Sequence, residues 1–308
     1  MRYLLPSILY ALVVSTFAFA EENDVADLRL RIKTGETLVY ACTMNASSSS
    51  SGRVLGKPFT LTTETMTALS RVIKGLPPKA DGVPVSIRLQ NVNFSDKRAI
   101  NDETKAEVSV SREKVKAIEN GKVIVDSEND IGTNQIAAYQ EWIKVMENAE
   151  AHMVLDAAGR QGEVQGDPQL VDNISSSGVH GIFPVLSGKD SKPGDSWEDT
   201  FNIPKIGEFK LAKPAIVRSK MTFARWETRD GKGLAQIDIV CAWERQDLKG
   251  ENDKGMLAEI SGVDGKFTGS CVFDPISGHF IEGKLSGEMK HHIDGELDGQ
   301  TMGLDVTG

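Results

Sequence analysis

The chain has 308 residues, with 44 acidic against 35 basic side chains and a net charge of −9. That balance argues against nucleic acid and anionic membrane surfaces as partners, because both repel an acidic protein that has no concentrated basic patch. Three cysteines, Cys42, Cys241 and Cys271, are too few for a disulfide scaffold.

The chain starts Met1-Arg2-Tyr3, runs through Leu4-Leu5 and Leu12-Val13-Val14 to Ala18-Phe19-Ala20, and then turns polar at Glu21-Glu22. A basic start, an apolar middle and an A-x-A exit are the anatomy of a cleaved secretory signal over residues 1–20. Cleavage near Ala20 leaves 308 − 20 = 288 residues and, since Arg2 is the one charge removed, a net charge of −9 − 1 = −10. No later segment approaches the roughly 20 apolar residues of a spanning helix. The expectation is a soluble, exported chain, periplasmic or extracellular, with no transmembrane segment.

Period-two alternation dominates the chain beyond the signal. Leu28, Leu30 and Ile32 alternate with Arg29, Arg31 and Lys33; Leu38, Tyr40, Cys42 and Met44 share a side; Val85, Ile87 and Leu89 alternate with Ser86, Arg88 and Gln90. Such spacing predicts antiparallel strands half-buried against a core. "ASSSSSG" (46–52) reads as a loop between strands. Asp81-Gly82, Asn120-Gly121, Asp230-Gly231, Asp264-Gly265 and Asp298-Gly299 are tight-hairpin dipeptides, tolerant of positive φ. Between them, Ile136, Tyr139, Ile143, Met146 and Ala149 recur at helical spacing, with Trp142 widening the stripe, so a helix is predicted over about 131–149. Asp167-Pro168 signals a second, shorter helix with Leu170, Val171 and Ile174 on its apolar face, stopped by residues 175–178.

Three landmarks occur twice in the same order. "KTGETL" (33–38) matches "KPGDSW" (192–197), "GVPVSIRLQNV" (82–92) matches "GLAQIDIVCAW" (233–243), and "MVLDAAGR" (153–160) matches "CVFDPISGH" (271–279). The offsets are 192 − 33 = 159, 233 − 82 = 151 and 271 − 153 = 118, shrinking because the first half alone carries the Trp142 helix. The fold expected is therefore α+β, mainly β: a strongly curved antiparallel sheet, half-barrel or open-barrel-like, with one or two helices packed on it and an internal duplication. Its halves are residues 21–165 and 166–308, packed as one body, each launched by a Lys-x-Gly-acid turn.

On the last strands, Gly265, Phe267, Gly269, Cys271 and Phe273 share one side, as do Ile281, Gly283, Leu285, Gly287 and Met289. Glycine alternating with bulk marks a sharply coiled sheet or a close approach by a ligand or backbone. A concave face lined by Phe267, Phe273, Ile281, Leu285 and Met289, and partly covered by Trp142 and Met146, is the candidate ligand site. Its ligand is a lipid or another apolar or amphipathic molecule. Cys241 and Cys271, on neighbouring predicted strands, are the candidate disulfide. His291-His292 with Asp294, Glu296 and Asp298 is the richest polar cluster. Adjacent histidines on a strand point to opposite faces, which leaves His292 and Asp294 as the metal candidates, with a solvated strand edge as the plainer reading. Gly-x-Ser-x-Gly, Gly-x-Gly-x-x-Gly, a phosphate loop and His-Glu-x-x-His do not occur in the sequence, and no motif points to a cofactor.

With the apolar "IFPVL" (182–186), "KPGDSW" and "CVFDPISGHF" (271–280) together, the chain resembles a set of exported, β-rich bacterial proteins of unknown function. In these a Gly-Asp-Ser/Thr-Trp turn follows a Pro-Leu-rich segment, and a Phe-Asp hairpin comes near the end. The chain departs by reading Ser187-Gly188 where a second proline is expected after Leu186. In topology it is also similar to the half-barrel carriers of lipids and lipoproteins in the bacterial envelope. The first resemblance implies no catalytic residue, and the second is a likeness of fold from which function does not follow. The functional expectation is a non-catalytic protein that binds an apolar ligand on its concave face. The alternatives are an envelope structural or interaction protein with a filled core, and a carboxylate-dependent hydrolase.

Overall fold

The computed structural model describes residues 25–308 apart from 55–56, 79–81, 169, 172–173, 175–183, 207–208, 253–254 and 298–299. The signal segment 1–20, Asp81, Asp298-Gly299 and the helix stop at 175–178 lie outside the described residues. In chain order the elements are β1 (Ala26–Asp27), β2 (Thr37–Val54), β3 (Lys57–Gly75), β4 (Val83–Ile100), β5 (Glu103–Val110), β6 (Val115–Glu119), β7 (Lys122–Asp126), α1 (Thr133–Asn148) and β8 (Glu150–Leu155). There follow β9 (Gln165–Gly166), β10 (Asp190–Ser191), β11 (Ser196–Ile206), β12 (Phe209–Arg229), β13 (Lys232–Trp243), β14 (Leu248–Glu251), β15 (Leu257–Asp274), β16 (His279–Leu297) and β17 (Gln300–Thr307). Pro168, Leu170, Val171 and Ile174 are helical, where the second helix is expected.

All the described strand pairings are antiparallel. The two halves repeat one order: β2–β3–β4–β8 in the first and β11–β12–β13–β15 in the second. Between β4 and β8 the first half inserts β5, β6, β7 and α1; between β13 and β15 the second inserts only β14. Because β14 pairs with both β12 and β15, the run β12–β13–β15–β14 closes on itself as a small barrel-like ring within the curved sheet. At the C-terminus β17 joins the halves, pairing with β16 on one side and β2 on the other.

The two Lys-x-Gly-acid turns are built alike. Lys33 N donates to Glu36 Oε2 at 2.8 Å and Lys192 N to Asp195 Oδ2 at 2.9 Å. Gly35 and Gly194 sit at φ 80° and 95°, where a β-carbon is disfavoured. Gly35 N donates to Gly75 O and Gly194 N to Phe223 O, so each turn clamps the strand that pairs with the one it launches. The Asp turns also match: Asp156 Oδ1 accepts Ala158 N and Arg160 N, and Asp274 Oδ1 accepts Ile276 N and Ser277 N.

Leu28, Leu30 and Ile32 are buried as their alternation predicts, but the backbone there is not a ladder strand. Its amides bond across the molecule instead: Leu28 N to Lys189 O, Leu30 N to Ala157 O and Arg31 N to Gly278 O. These three side chains sit in one core with Ile73, Ile87, Met153 and Leu155 of the first half and Val217, Phe223, Ile237, Ile260 and Phe273 of the second.

Three further expectations are corrected. The Ser47–Ser51 run is not a loop but part of β2, paired residue by residue with Glu64–Thr60 of β3. Serine tolerates a strand that β3 pairs along its whole length and β17 from Ser49 to Gly52, because β-propensity follows context. Asp264-Gly265 lies within β15 beside a register shift rather than at a hairpin tip. Cys241 and Cys271 are not joined by a disulfide. Cys271 faces Ile237 while Cys241 faces Phe267, which places them 271 − 267 = 4 positions apart along the ladder. At about 3.3 Å per residue that is roughly 13 Å, beyond disulfide reach. Burial pushes the Cys241 thiol up to about 11 and, with Asp238 nearby, the Cys271 thiol up to about 12. In native protein, Cys241 and Cys271 should therefore resist alkylation at pH near 8, and mass spectrometry of the unfolded, unreduced chain should show no crosslink between them.

The glycine alternation has a definite physical origin. Gly265 faces Met289, Phe267 faces Gly287, Gly269 faces Leu285 and Cys271 faces Gly283, so each glycine of one strand opposes a larger side chain of the other. A β-carbon at Gly269 would lie 2.8 Å from Leu285 Cα, and one at Gly287 would lie 2.7 Å from a Phe267 ring carbon. One at Gly283 would meet Cys271 Cβ at a milder 3.3 Å. Gly269→Ala and Gly287→Ala should each lower the unfolding free energy in urea by about 2–3 kcal/mol, and Gly283→Ala by clearly less.

Candidate functional site

The expected ligand face is not one surface. Phe273 is fully buried in the main core, and Phe267 and Leu285 pack against that core. Met289 is half-buried, against Gly265 beside Trp243, while Ile281 is exposed. Trp142 and Met146 lie elsewhere, because α1 packs on β4, β6 and β7 rather than over β15 and β16. Met146 joins Leu89, Val92, Ala149, Ala151 and Leu170 in a separate cluster, and Ile143 joins Val110, Val115, Ala117 and Val125 in another. The helix covers the sheet as expected, but at the end made by its own half. The short loops on either side of it leave no other reach.

His292 and Asp294 are brought together, with Asp305 of β17 as a third partner that sequence spacing could not show. His292 Nδ1 lies 2.7 Å from Asp305 Oδ1 and Nε2 lies 3.1 Å from Asp294 Oδ1. Each ring nitrogen thus has its own carboxylate on opposite sides, which makes an ion-paired staple between β16 and β17 and not a chelate. Among the described residues no group of three or more His, Cys, Asp or Glu side chains is arranged to hold a metal. Hydrogen bonds to Asp305 and Asp294 raise the His292 pKa, whereas burial lowers that of His291 on the opposite face.

An open apolar surface lies beside α1. Phe94 of β4, Val110 of β5 and Gln135, Ala138, Tyr139 and Trp142 of the helix wall a cleft of about 450 Å³. Phe94 and Trp142 meet edge to face at 6.3 Å, and Trp142 remains 40% exposed. A large exposed indole is costly to leave in water and is the usual anchor of a binding surface. Tyr139 also lines a second groove, of about 480 Å³, bounded by Ile100, Ala106, Val108, Ala117, Ile118 and Ile124, with Lys105, Glu119 and Asn120 at its polar margin. Gln135 is the polar wall residue of the first cleft. Trp142 is thus the candidate residue that the sequence identified for a binding role, and Phe94, Val110 and Tyr139 are the partners it did not connect. Phe94 and Val110 alternate correctly on their strands, and their register pairing is what a single sequence hides.

The paired histidines give opposite pH signs. An unfolded histidine titrates near 6.5. The raised folded value of His292 makes its contribution full below about pH 6.5 and lost as pH rises through that raised value. The lowered value of His291 makes its contribution full above about pH 6.5 and lost as pH falls through the lowered value. Unfolding in urea across pH about 5 to 8 should show His292→Gln flattening the upper limb, by less than about 1 kcal/mol at so exposed a site, and His291→Leu flattening the lower. No protein-family model, curated protein or solved structure matches the chain.

Proposed function

We propose that the chain is an exported, non-catalytic binding protein that holds a single-chain amphipathic ligand between α1 and the β4–β7 end of the sheet. The observation that carries this reading is the exposed Trp142 set with Phe94, Val110 and Tyr139 in an open apolar cleft. The second groove shares Tyr139 and is bordered by Lys105, Glu119 and Asn120, so an alkyl chain lies along apolar walls while its polar head meets that charged and amide margin. The signal-like residues 1–20 support the exported location, and among the described residues no helix is long and apolar enough to cross a membrane.

A second reading, an envelope structural or interaction protein, is favoured by the filled state of the β15–β16 face. There each glycine of one strand stands opposite a bulkier side chain of the other, as in a packed face. Isothermal titration with oleate below its micelle concentration separates the two. Saturable one-to-one binding is expected, weakened about tenfold or more by Trp142→Ala and by Phe94→Ala, since each removes apolar contact of about 1.4 kcal/mol or more. Heats that do not saturate, or that both variants leave unchanged, would sink the carrier reading.

A further inference from the structure

We propose that the cleft on the other flank of α1 is a second binding site, for an acidic carbohydrate unit. It is separate from the apolar cleft, since Gln140 and Lys144 line it where Gln135, Ala138 and Trp142 line the other. About 500 Å³ in volume, it lies between the C-terminal half of α1, β4 near Gln90 and Asn91, and Arg112 in the β5–β6 turn, with buried Ile143 as its floor.

The wall chemistry selects the ligand. Gln90, Asn91, Gln140 and Asn148 offer four carboxamides, each able both to donate and to accept, which is what neighbouring hydroxyls of a sugar require. Arg112 adds a planar guanidinium whose nearest carboxylate partner, Glu147, stands 4.0 Å away, and the Arg112 side chain is 83% exposed. A guanidinium so placed matches a carboxylate bidentately. Glu147, which lines the cleft, is held by the backbone, its Oε1 accepting Val92 N at 3.1 Å, while its Oε2 lies 4.0 Å from Arg112. An inorganic anion would use the two cations, Arg112 and Lys144, but would leave the four carboxamides idle.

The site is also shaped by the backbone. Between Ala68 and Ser70 the β3–β4 register shifts, and Asn91 adopts φ 53° in the extra loop of chain this creates in β4. Bulges of this kind re-aim side chains, and asparagine accepts the left-handed region at little cost. No aromatic ring among the described residues lines the cleft, so a single sugar is held by hydrogen bonds alone, with a Kd on the order of millimolar.

Titration of isotope-labelled protein with D-glucuronate, glucose and inorganic phosphate, followed by NMR of the side-chain amides, tests this. Glucuronate should give saturable shifts, with glucose about tenfold weaker for want of the carboxylate. Arg112→Ala and Gln140→Ala, both on exposed side chains that the fold does not need, should each weaken glucuronate about tenfold, while Trp142→Ala leaves it unchanged. The proposal is overturned by non-saturating shifts, by phosphate binding as tightly as glucuronate, by glucuronate binding that neither polar variant alters, or by loss of binding in Trp142→Ala. Because oleate and glucuronate are read out at different clefts, failure of either leaves the other standing.

Discussion

The two halves are held in register by the crossing of their lead-in segments. β1 pairs with β10, Leu28 N and Gly188 N exchange bonds with Lys189 O and Leu28 O, and Arg29 Nε donates to Gly188 O at 3.1 Å. Arg29 and Gly188 are separated by 188 − 29 = 159, the same offset as Lys33 and Lys192, so positions matched between the two halves meet where the segments cross. Asp27 and Asp190 flank the crossing and both pair with Arg29.

From that crossing follows the main core, to which both halves contribute. The lead-in of the first half reaches the Asp turns of both halves, through Ala157 O and Gly278 O, while Leu186 N of the second reaches Ala158 O. Leu28, Leu30 and Ile32 are thereby set among side chains from both meanders, where each fully buried aliphatic contributes about 1.5–3 kcal/mol. The amides of Leu28, Leu30 and Arg31, which lack a strand neighbour, find loop and turn carbonyls instead. The ring closed by β14 and the interlocked glycines of β15 and β16 leave the second half a packed body. Function, on our reading, is left to the first half, whose inserted strands and helix are tied down by small clusters and keep two unlike clefts open.

The two clefts illustrate how one helix serves two chemistries. At 100° per residue, Gln135, Ala138 and Trp142 fall on one flank of α1 and Gln140, Lys144 and Asn148 on the other, with Ile143 and Met146 between them against the sheet. The sheet side is equally divided: the Phe94–Val110 pair lies under the apolar flank, and the bulge at Asn91 with the turn at Arg112 lies under the polar one.

Features that depend on near neighbours were legible in the residues themselves. Alternation placed Ile87, Ile237 and Ile239 inward, Asn120-Gly121 and Asp230-Gly231 took the positive φ angles their hairpins need, and α1 starts and stops where its stripe does. The duplicated turns could be matched because an acid three residues after lysine closes on the lysine amide whatever surrounds it. What depends on which strands meet was decided only in the folded chain. The Ser47–Ser51 run became a strand because β3 pairs with all of it and β17 with Ser49–Ser51, the cysteines missed each other by four ladder positions, and Asp305 came to His292 from another strand. Residue pattern sets the face a side chain takes, since that is a matter of a few dihedral angles. Register and docking are set by a balance of contacts far apart in sequence, and no local signal carries it.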